Sequence, residues 1–82
     1  MAEDTLSALE DTIRGLIRTE LRDAEVVLAS DTRFEDLGLS SIKTLRMVAR
    51  LENIYGIELD DDAILRTETL GELAALIARA RR

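Results

Sequence analysis

The chain of 82 residues contains no cysteine, no histidine, no proline and no tryptophan. Without cysteine there can be neither a disulfide framework nor a thiol nucleophile. Without histidine, the commonest general base and a common zinc ligand are missing. No apolar run approaches the roughly 20 residues that a membrane-spanning helix needs. The composition therefore argues against an enzyme with an ordinary acid–base or metal centre.

The residues that are present describe one small globular domain spanning residues 1–82. Apolar residues make up 46% of the chain and charged residues 34%, which argues against disorder. The net charge of −6 opposes binding to nucleic acid and to anionic membranes. The acidic first residues lack the basic and apolar regions of a signal peptide. We expect a cytoplasmic monomer.

Apolar residues recur at steps of three and four, which is typical of amphipathic helices. Residues 22–40 have no sustained period and predict a long loop in which a short helical turn is possible. The acidic run 60–62 favours a helix start, and it lacks the ligand spacing of a calcium loop. The fold class is therefore all-α, a four-helix bundle with helices at about residues 4–21, 41–55, 61–66 and 70–80.

The first predicted helix has several candidate caps and one internal glycine. Asp4, Thr5 and Ser7 can each cap its start. Gly15 costs about 1 kcal/mol relative to alanine in a helix interior. That cost raises the possibility that another helix approaches closely at Gly15.

The second predicted helix is the most informative segment. Ser40 can cap its start, and Gly56 stands where a left-handed residue would end it. Apolar residues cover most of its circumference, so we expect it to be central and largely buried. The one polar arc carries Lys43, Arg46 and Arg50.

A short motif lies where the long loop meets this helix, in the sequence EDLGLSSI from residue 35 to residue 42. Its Asp36, Leu37, Gly38, Ser41 and Ile42 have the order and spacing of the attachment motif of acyl and peptidyl carrier proteins. The resemblance to that family continues downstream and covers essentially the whole chain. It rests on Leu45, Val48, Leu51, Glu52 and Tyr55 of the central helix, on Ile57 and Leu59 after it, and on Thr69 and Leu70 at the start of the last helix. The motif gains weight from its context, because it stands at a predicted helix start in a short, acidic, helical chain.

The resemblance implies a function and a prosthetic group. Ser41 would hold a 4′-phosphopantetheine arm donated by coenzyme A and attached by a phosphopantetheinyl transferase with Mg²⁺. The arm would carry an acyl or aminoacyl group as a thioester between a loading enzyme and downstream synthase or modifying enzymes. The chain itself would be a carrier, with no catalytic residue and no metal ligand. An exposed serine at a helix start suits this role, since free N–H groups there favour a phosphate.

Two departures from the family pattern bear on the pathway. Ser40 stands where fatty-acid carriers usually have aspartate. The two adjacent serines are therefore both candidates for attachment of the arm, and the spacing from Gly38 favours Ser41. Lys43, Arg46 and Arg50, with Leu45, form a predicted partner-docking face that is basic, whereas fatty-acid carriers present an acidic one.

The reversed sign favours a carrier for polyketide or non-ribosomal peptide biosynthesis. Two alternative functions of the chain stay open, and so does one alternative interpretation of its basic arc. The chain could be a fatty-acid-type carrier. It could be a helical interaction module without a prosthetic group. The basic arc could also be merely a solvated face beside acidic neighbours.

Overall fold

The computed structural model describes residues 6–81, which form four α-helices and one short 3₁₀ helix. Within these residues there is no strand, only one isolated antiparallel bridge between Arg33 and Thr69. The all-α, four-helix prediction is therefore confirmed. In chain order the elements are α1 (Leu6–Leu21), the 3₁₀ helix (Phe34–Leu37), α2 (Ser41–Tyr55), α3 (Asp61–Arg66) and α4 (Leu70–Ala80).

The start of α1 falls at the edge of the described residues. The predicted beginning at residue 4 and the candidate caps Asp4 and Thr5 lie outside them. Ser7 follows Leu6, which is already helical, so Ser7 lies inside the helix and is not its N-cap.

One apolar core unites the elements, and α1 packs against α4 and α2. Each helix contributes the residues of a single face, as the three- and four-residue spacing predicts. The side chains that are almost fully buried are Leu9, Ile13, Ile17, Met47, Leu51, Leu70, Leu73 and Ile77.

Helix α2 is less buried than its composition suggested. Only Met47, Val48 and Leu51 are buried, while Ile42 is 70% exposed and Leu45 53% exposed. The expectation of a largely buried helix is therefore wrong. A domain of this size has too few elements to surround a helix, so one side of α2 faces solvent although it carries apolar residues.

The long first loop is fastened to the start of α4. Its buried Leu28 and Phe34 enter the core, and Leu37 packs against it half-buried. Because these contacts fix the loop between α1 and α2, they also fix the approach to α2. Three backbone hydrogen bonds join the loop to α4: Phe34 N–H to Glu68 C=O (2.9 Å), Leu70 N–H to Thr32 C=O (3.1 Å) and Gly71 N–H to Ser30 C=O (2.7 Å).

Helices α3 and α4 each begin at a residue whose side chain caps the helix. Asp60 accepts a hydrogen bond from the Ala63 N–H at 3.1 Å and starts α3. Thr69 and Glu72 form a capping box at the start of α4.

Within residues 6–81 no cluster of acidic side chains is placed to hold a metal ion. In the same residues, no helix is both long enough and apolar enough to cross a bilayer.

Gly15 and Gly71 differ in how closely other parts of the chain approach them. A Cβ at Gly71 would lie 3.0 Å from the Ser30 carbonyl oxygen, which the Gly71 N–H already binds. A Cβ at Gly15 would meet nothing within 4 Å, so no other helix approaches closely there.

We expect Gly71→Ala to lower the free energy of unfolding by about 1 kcal/mol, because crowding of about 1–3 kcal/mol outweighs the gain in helix propensity.

Gly15→Ala is the matched control, and it should raise the free energy of unfolding by up to about 1 kcal/mol. Urea denaturation followed by circular dichroism measures both values. Equal shifts of the same sign in the two variants would contradict the close contact at Gly71.

Candidate functional site

The approach to α2 is built from one glycine and one cap. Gly38 ends the 3₁₀ helix with φ 74°, a left-handed conformation that glycine adopts without a Cβ clash, and its N–H donates to the Glu35 carbonyl at 3.2 Å. Leu39 then turns into the core. Ser40 is the N-cap, since its Oγ accepts a hydrogen bond from the Lys43 N–H at 3.2 Å. The Ser40 hydroxyl is thus engaged in starting the helix.

Ser41 is the first residue of α2, and its side chain is exposed. No hydrogen bond of its hydroxyl to any other described residue is present. The backbone N–H groups of Ser41 and Ile42 likewise donate to no acceptor among residues 6–81. Free amides at a helix start, together with the helix dipole, favour an anion. The site therefore offers a free hydroxyl beside a position suited to a phosphate.

An open groove of about 180 Å³ adjoins Ser41 between α2 and α3. Leu65, which is 78% exposed, and Leu45 contribute apolar surface to it. Thr44 and Thr67 add hydroxyl groups. The complete lining is Phe34, Leu39, Ser41, Thr44, Leu45, Ile64, Leu65 and Thr67.

Of the motif residues that flank Ser41, some shape or pack the approach to α2 and the others are exposed to solvent. Gly38 shapes the turn, and Leu37 packs half-buried against the core. Asp36 is exposed in the 3₁₀ helix. The Ile42 side chain, by contrast, is 70% exposed. The buried residue next to the site is Leu39, which the motif does not specify.

The N-terminal part of the basic arc of α2 borders a second hollow, on the side of α2 that meets the end of α1. Arg46 donates from Nη1 to Oε1 of Glu20 at 3.3 Å. Lys43 lines the same hollow, and Arg22 joins it from the residue after α1. Arg50 lies one turn beyond Arg46 and forms no ion pair with a described residue. Sequence reasoning did not single out Arg22, because only the folded chain brings it beside α2.

The arrangement at the start of α2 agrees with comparisons to known proteins. Residues 11–77 match the protein family described as "Phosphopantetheine attachment site". The chain belongs to this family of carrier proteins. Carriers hold a substrate and do not catalyse its reactions. The expected prosthetic group is thereby established as covalently bound 4′-phosphopantetheine, and the exposed hydroxyl and free amides at the start of α2 fit such a group.

Relatives of this carrier occur in polyketide synthases. Its sequence is 45% identical over 76 residues to the actinorhodin polyketide synthase acyl carrier protein of Streptomyces coelicolor, with 89% of this chain and 88% of that protein covered. It is 33% identical over 78 residues to a phenolphthiocerol/phthiocerol polyketide synthase polypeptide of Mycobacterium tuberculosis. That match covers 95% of the carrier but 4% of the much longer synthase polypeptide.

The fold has a counterpart of known structure. The solution structure of the acetyl actinorhodin acyl carrier protein from Streptomyces coelicolor superposes with a TM-score of 0.72 and 33% sequence identity, covering 87% of each chain. The family that the sequence resembled is therefore confirmed by sequence and by fold.

Proposed function

We propose that this protein is an acyl carrier of polyketide biosynthesis and that its cargo is bound as a thioester to an arm on the Ser41 oxygen. The single observation that carries the proposal is the free, exposed hydroxyl of Ser41 on the first turn of α2. The likeness to two polyketide synthase proteins supports the pathway.

The geometry favours Ser41 over its neighbour as the attachment residue. Ser40 is also exposed, but its Oγ binds the Lys43 N–H and holds the start of the helix. Attachment there would place bulk on the cap. Ser41 stands on the helix itself, so an arm attached to it has a fixed root and leaves the cap in place.

The modification is a phosphoryl transfer in which Ser41 is the nucleophile. The Ser41 oxygen forms a bond to the phosphorus that bears the pantetheine end of coenzyme A, and the diphosphate bond of coenzyme A breaks. Adenosine 3′,5′-bisphosphate leaves, and the hydroxyl proton passes to a base. A phosphopantetheinyl transferase supplies that base together with Mg²⁺.

The arm, when attached, supplies the thiol that this cysteine-free chain lacks. The chain contributes the rest of the shuttle: a rigid attachment point on α2, free amides for the phosphodiester, and a surface for partners. Its further partners are a loading enzyme that forms the thioester and synthase or modifying enzymes that use it. We place the carrier, as a monomer, in the cytoplasm, since coenzyme A is an intracellular cofactor.

Intact-mass measurement tests the attachment. Incubation with coenzyme A, Mg²⁺ and a broad-specificity transferase should add one phosphopantetheine per chain, and fragmentation of the product should place it on Ser41. An unchanged mass would favour a helical interaction module without a prosthetic group. Placement on Ser40 would refute the geometric argument.

A loading screen tests the pathway. The modified protein is offered to acyltransferases with malonyl-coenzyme A, to fatty-acid loading enzymes, and to adenylating enzymes with amino acids. We expect the polyketide building block to be loaded in preference to the others. Preferential loading with an amino acid would instead make the protein a carrier of non-ribosomal peptide biosynthesis.

A further inference from the structure

Side chains of α1 hold the first half of the segment 26–32, which we call the strap. Arg18 donates from Nε and Nη2 to the Val26 carbonyl at 3.3 Å, and Arg14 donates from Nε to the Leu28 carbonyl at 2.8 Å. Four residues of an α-helix advance about 6 Å, and two residues of extended chain advance about 6.6 Å. The spacing of the two arginines therefore matches alternate carbonyls of a chain that runs along α1.

The second half of the strap caps α4. The N–H groups in the first turn of a helix have no acceptor within the helix itself. In α4 the Leu70 N–H donates to the Thr32 carbonyl at 3.1 Å, and the Gly71 N–H donates to the Ser30 carbonyl at 2.7 Å. Among residues 6–81 these two carbonyls are the only acceptors of the two N–H groups. Both amides are therefore satisfied only while the strap is in place.

One side chain joins the two halves of the strap. The Ser30 Oγ donates to Oε2 of Glu10 at 2.8 Å, and Oε1 of the same carboxylate accepts from Nη2 of Arg14 at 3.3 Å. Ser30 thus contacts α1 through its hydroxyl and α4 through its carbonyl. A displacement of one half of the strap would be passed to the other half through this residue.

The strap has little hydrophobic attachment of its own. Leu28 is its only buried side chain, whereas Val27 is 86% exposed. No proline restricts its backbone, because the chain contains none. Segments with few buried apolar contacts open at a lower free energy than the core of a domain. The hydrogen bonds to α1 and α4, more than burial, therefore hold the strap closed.

We propose that the strap opens and closes as one unit while the four-helix core stays folded, and that Arg14 and Arg18 determine how often it opens. Release of the arginine contacts at one end would then uncap α4 at the other end, although neither arginine donates a hydrogen bond to α4. The buried residues Phe34 and Leu39 lie between the strap and Ser41 in the chain. The opening should therefore leave the start of α2 in place.

Amide hydrogen exchange, measured by NMR in increasing concentrations of urea, tests whether the strap is a separate unit. Exchange through a local opening depends little on urea, because little surface is exposed, whereas exchange through global unfolding depends on it strongly. In the wild-type chain we expect the Gly71 and Leu70 amides to exchange faster than the Leu51 amide in the middle of α2, and with a weaker urea dependence. Equal rates and equal urea dependence at the three amides would overturn the inference.

Removal of the α1 contacts tests whether the two ends of the strap are coupled. In Arg14→Gln/Arg18→Gln we expect the Gly71 and Leu70 amides to exchange at least about tenfold faster in the absence of urea. The reason is that the loss of a hydrogen bond from a charged donor shifts an equilibrium by about tenfold or more. Unchanged rates at these two amides would mean that the ends of the strap open independently.

The matched control for this variant is Arg66→Gln/Arg79→Gln. It removes the same charge from arginines of α3 and α4 that line a separate cleft and form no ion pair with a described residue. We expect the Gly71 and Leu70 amides to keep their wild-type rates in the control. An equal acceleration in both double variants would show an effect of net charge alone and would also contradict the proposal.

The reverse experiment starts from α4 and does not need the double arginine variant to fold. Gly71→Ala places a Cβ 3.0 Å from the Ser30 carbonyl oxygen. Because coupling between two sites is reciprocal, the Arg14 Nε–H that binds the Leu28 carbonyl should exchange about fivefold faster. Gly15→Ala, on the same helix as Arg14, should leave that rate unchanged. Exchange at Arg14 that is the same in Gly71→Ala as in the wild type would refute a strap that moves as one unit.

Discussion

Replacing Ser41 by alanine is expected to abolish the gain of phosphopantetheine completely. The substitution removes the exposed serine hydroxyl of the first turn of α2, and the neighbouring Ser40 oxygen is engaged with the Lys43 N–H. Because the Ser41 hydroxyl forms no hydrogen bond with a described residue, the fold should be unaffected. Intact mass after incubation with coenzyme A and transferase measures the effect, and the melting temperature checks the fold.

Ser40→Ala is the matched control for this experiment. It should retain the mass gain while lowering the free energy of unfolding by about 0.5–2 kcal/mol, because it removes the helix cap. The two serines would then separate into one residue for attachment and one for stability. The assignment of roles would be reversed if Ser41→Ala were still modified and Ser40→Ala were not.

The largest effect on stability is expected from Leu51→Ala in the middle of α2. The Leu51 side chain is fully buried in the core shared with α1 and α4. Truncating such a leucine typically costs about 2–5 kcal/mol through lost burial and the cavity that remains. A domain of this size has about 4–12 kcal/mol in total. The variant should therefore lose a large part of its stability, measured as a lowered denaturation midpoint in urea.

Ile54→Ala on the same helix provides the comparison, since the Ile54 side chain is 54% exposed. We expect its free energy of unfolding to fall by no more than about 1 kcal/mol. Similar losses in the two variants would contradict the orientation of α2 described above. Such a result would also cast doubt on the exposure of Ser41, which depends on the same orientation.

The limits of α2 could be predicted because they are set by local chemistry. Ser40 has the short polar side chain that caps a helix, and Gly56 adopts φ 65° at its end. The free position of Ser41 follows from the cap beside it. In this segment, residues close together in the sequence decide both the fold and the site.

The sequence could not show which apolar residues of α2 would be covered. Periodicity identifies apolar positions such as Ile42, Leu45 and Leu51 alike. Only the approach of the other helices decides that Leu51 is buried while Ile42 and Leu45 stay exposed. The burial of α2 was overestimated for this reason.

The hollow lined by Glu20, Arg22, Lys43 and Arg46 could not be predicted either, because these residues come from distant segments of the sequence. Glu20 and Arg46, which form its ion pair, are 26 residues apart in the sequence. Arg22 reaches it only because the chain turns sharply after α1. A charge arc on a helical wheel indicates a surface, but not the cavity that the surface borders.

The division of tasks between the adjacent serines has a consequence for the working cycle of the carrier. The hydroxyl that we propose as the attachment point takes no part in holding the helix together, and the one that caps the helix would not be consumed by the modification. The loaded form should thus unfold at a urea concentration no lower than that of the apo form, since the phosphodiester lies where the helix dipole favours an anion. A protein that must pass unchanged from one enzyme to the next can then exchange cargo repeatedly without altering its own architecture.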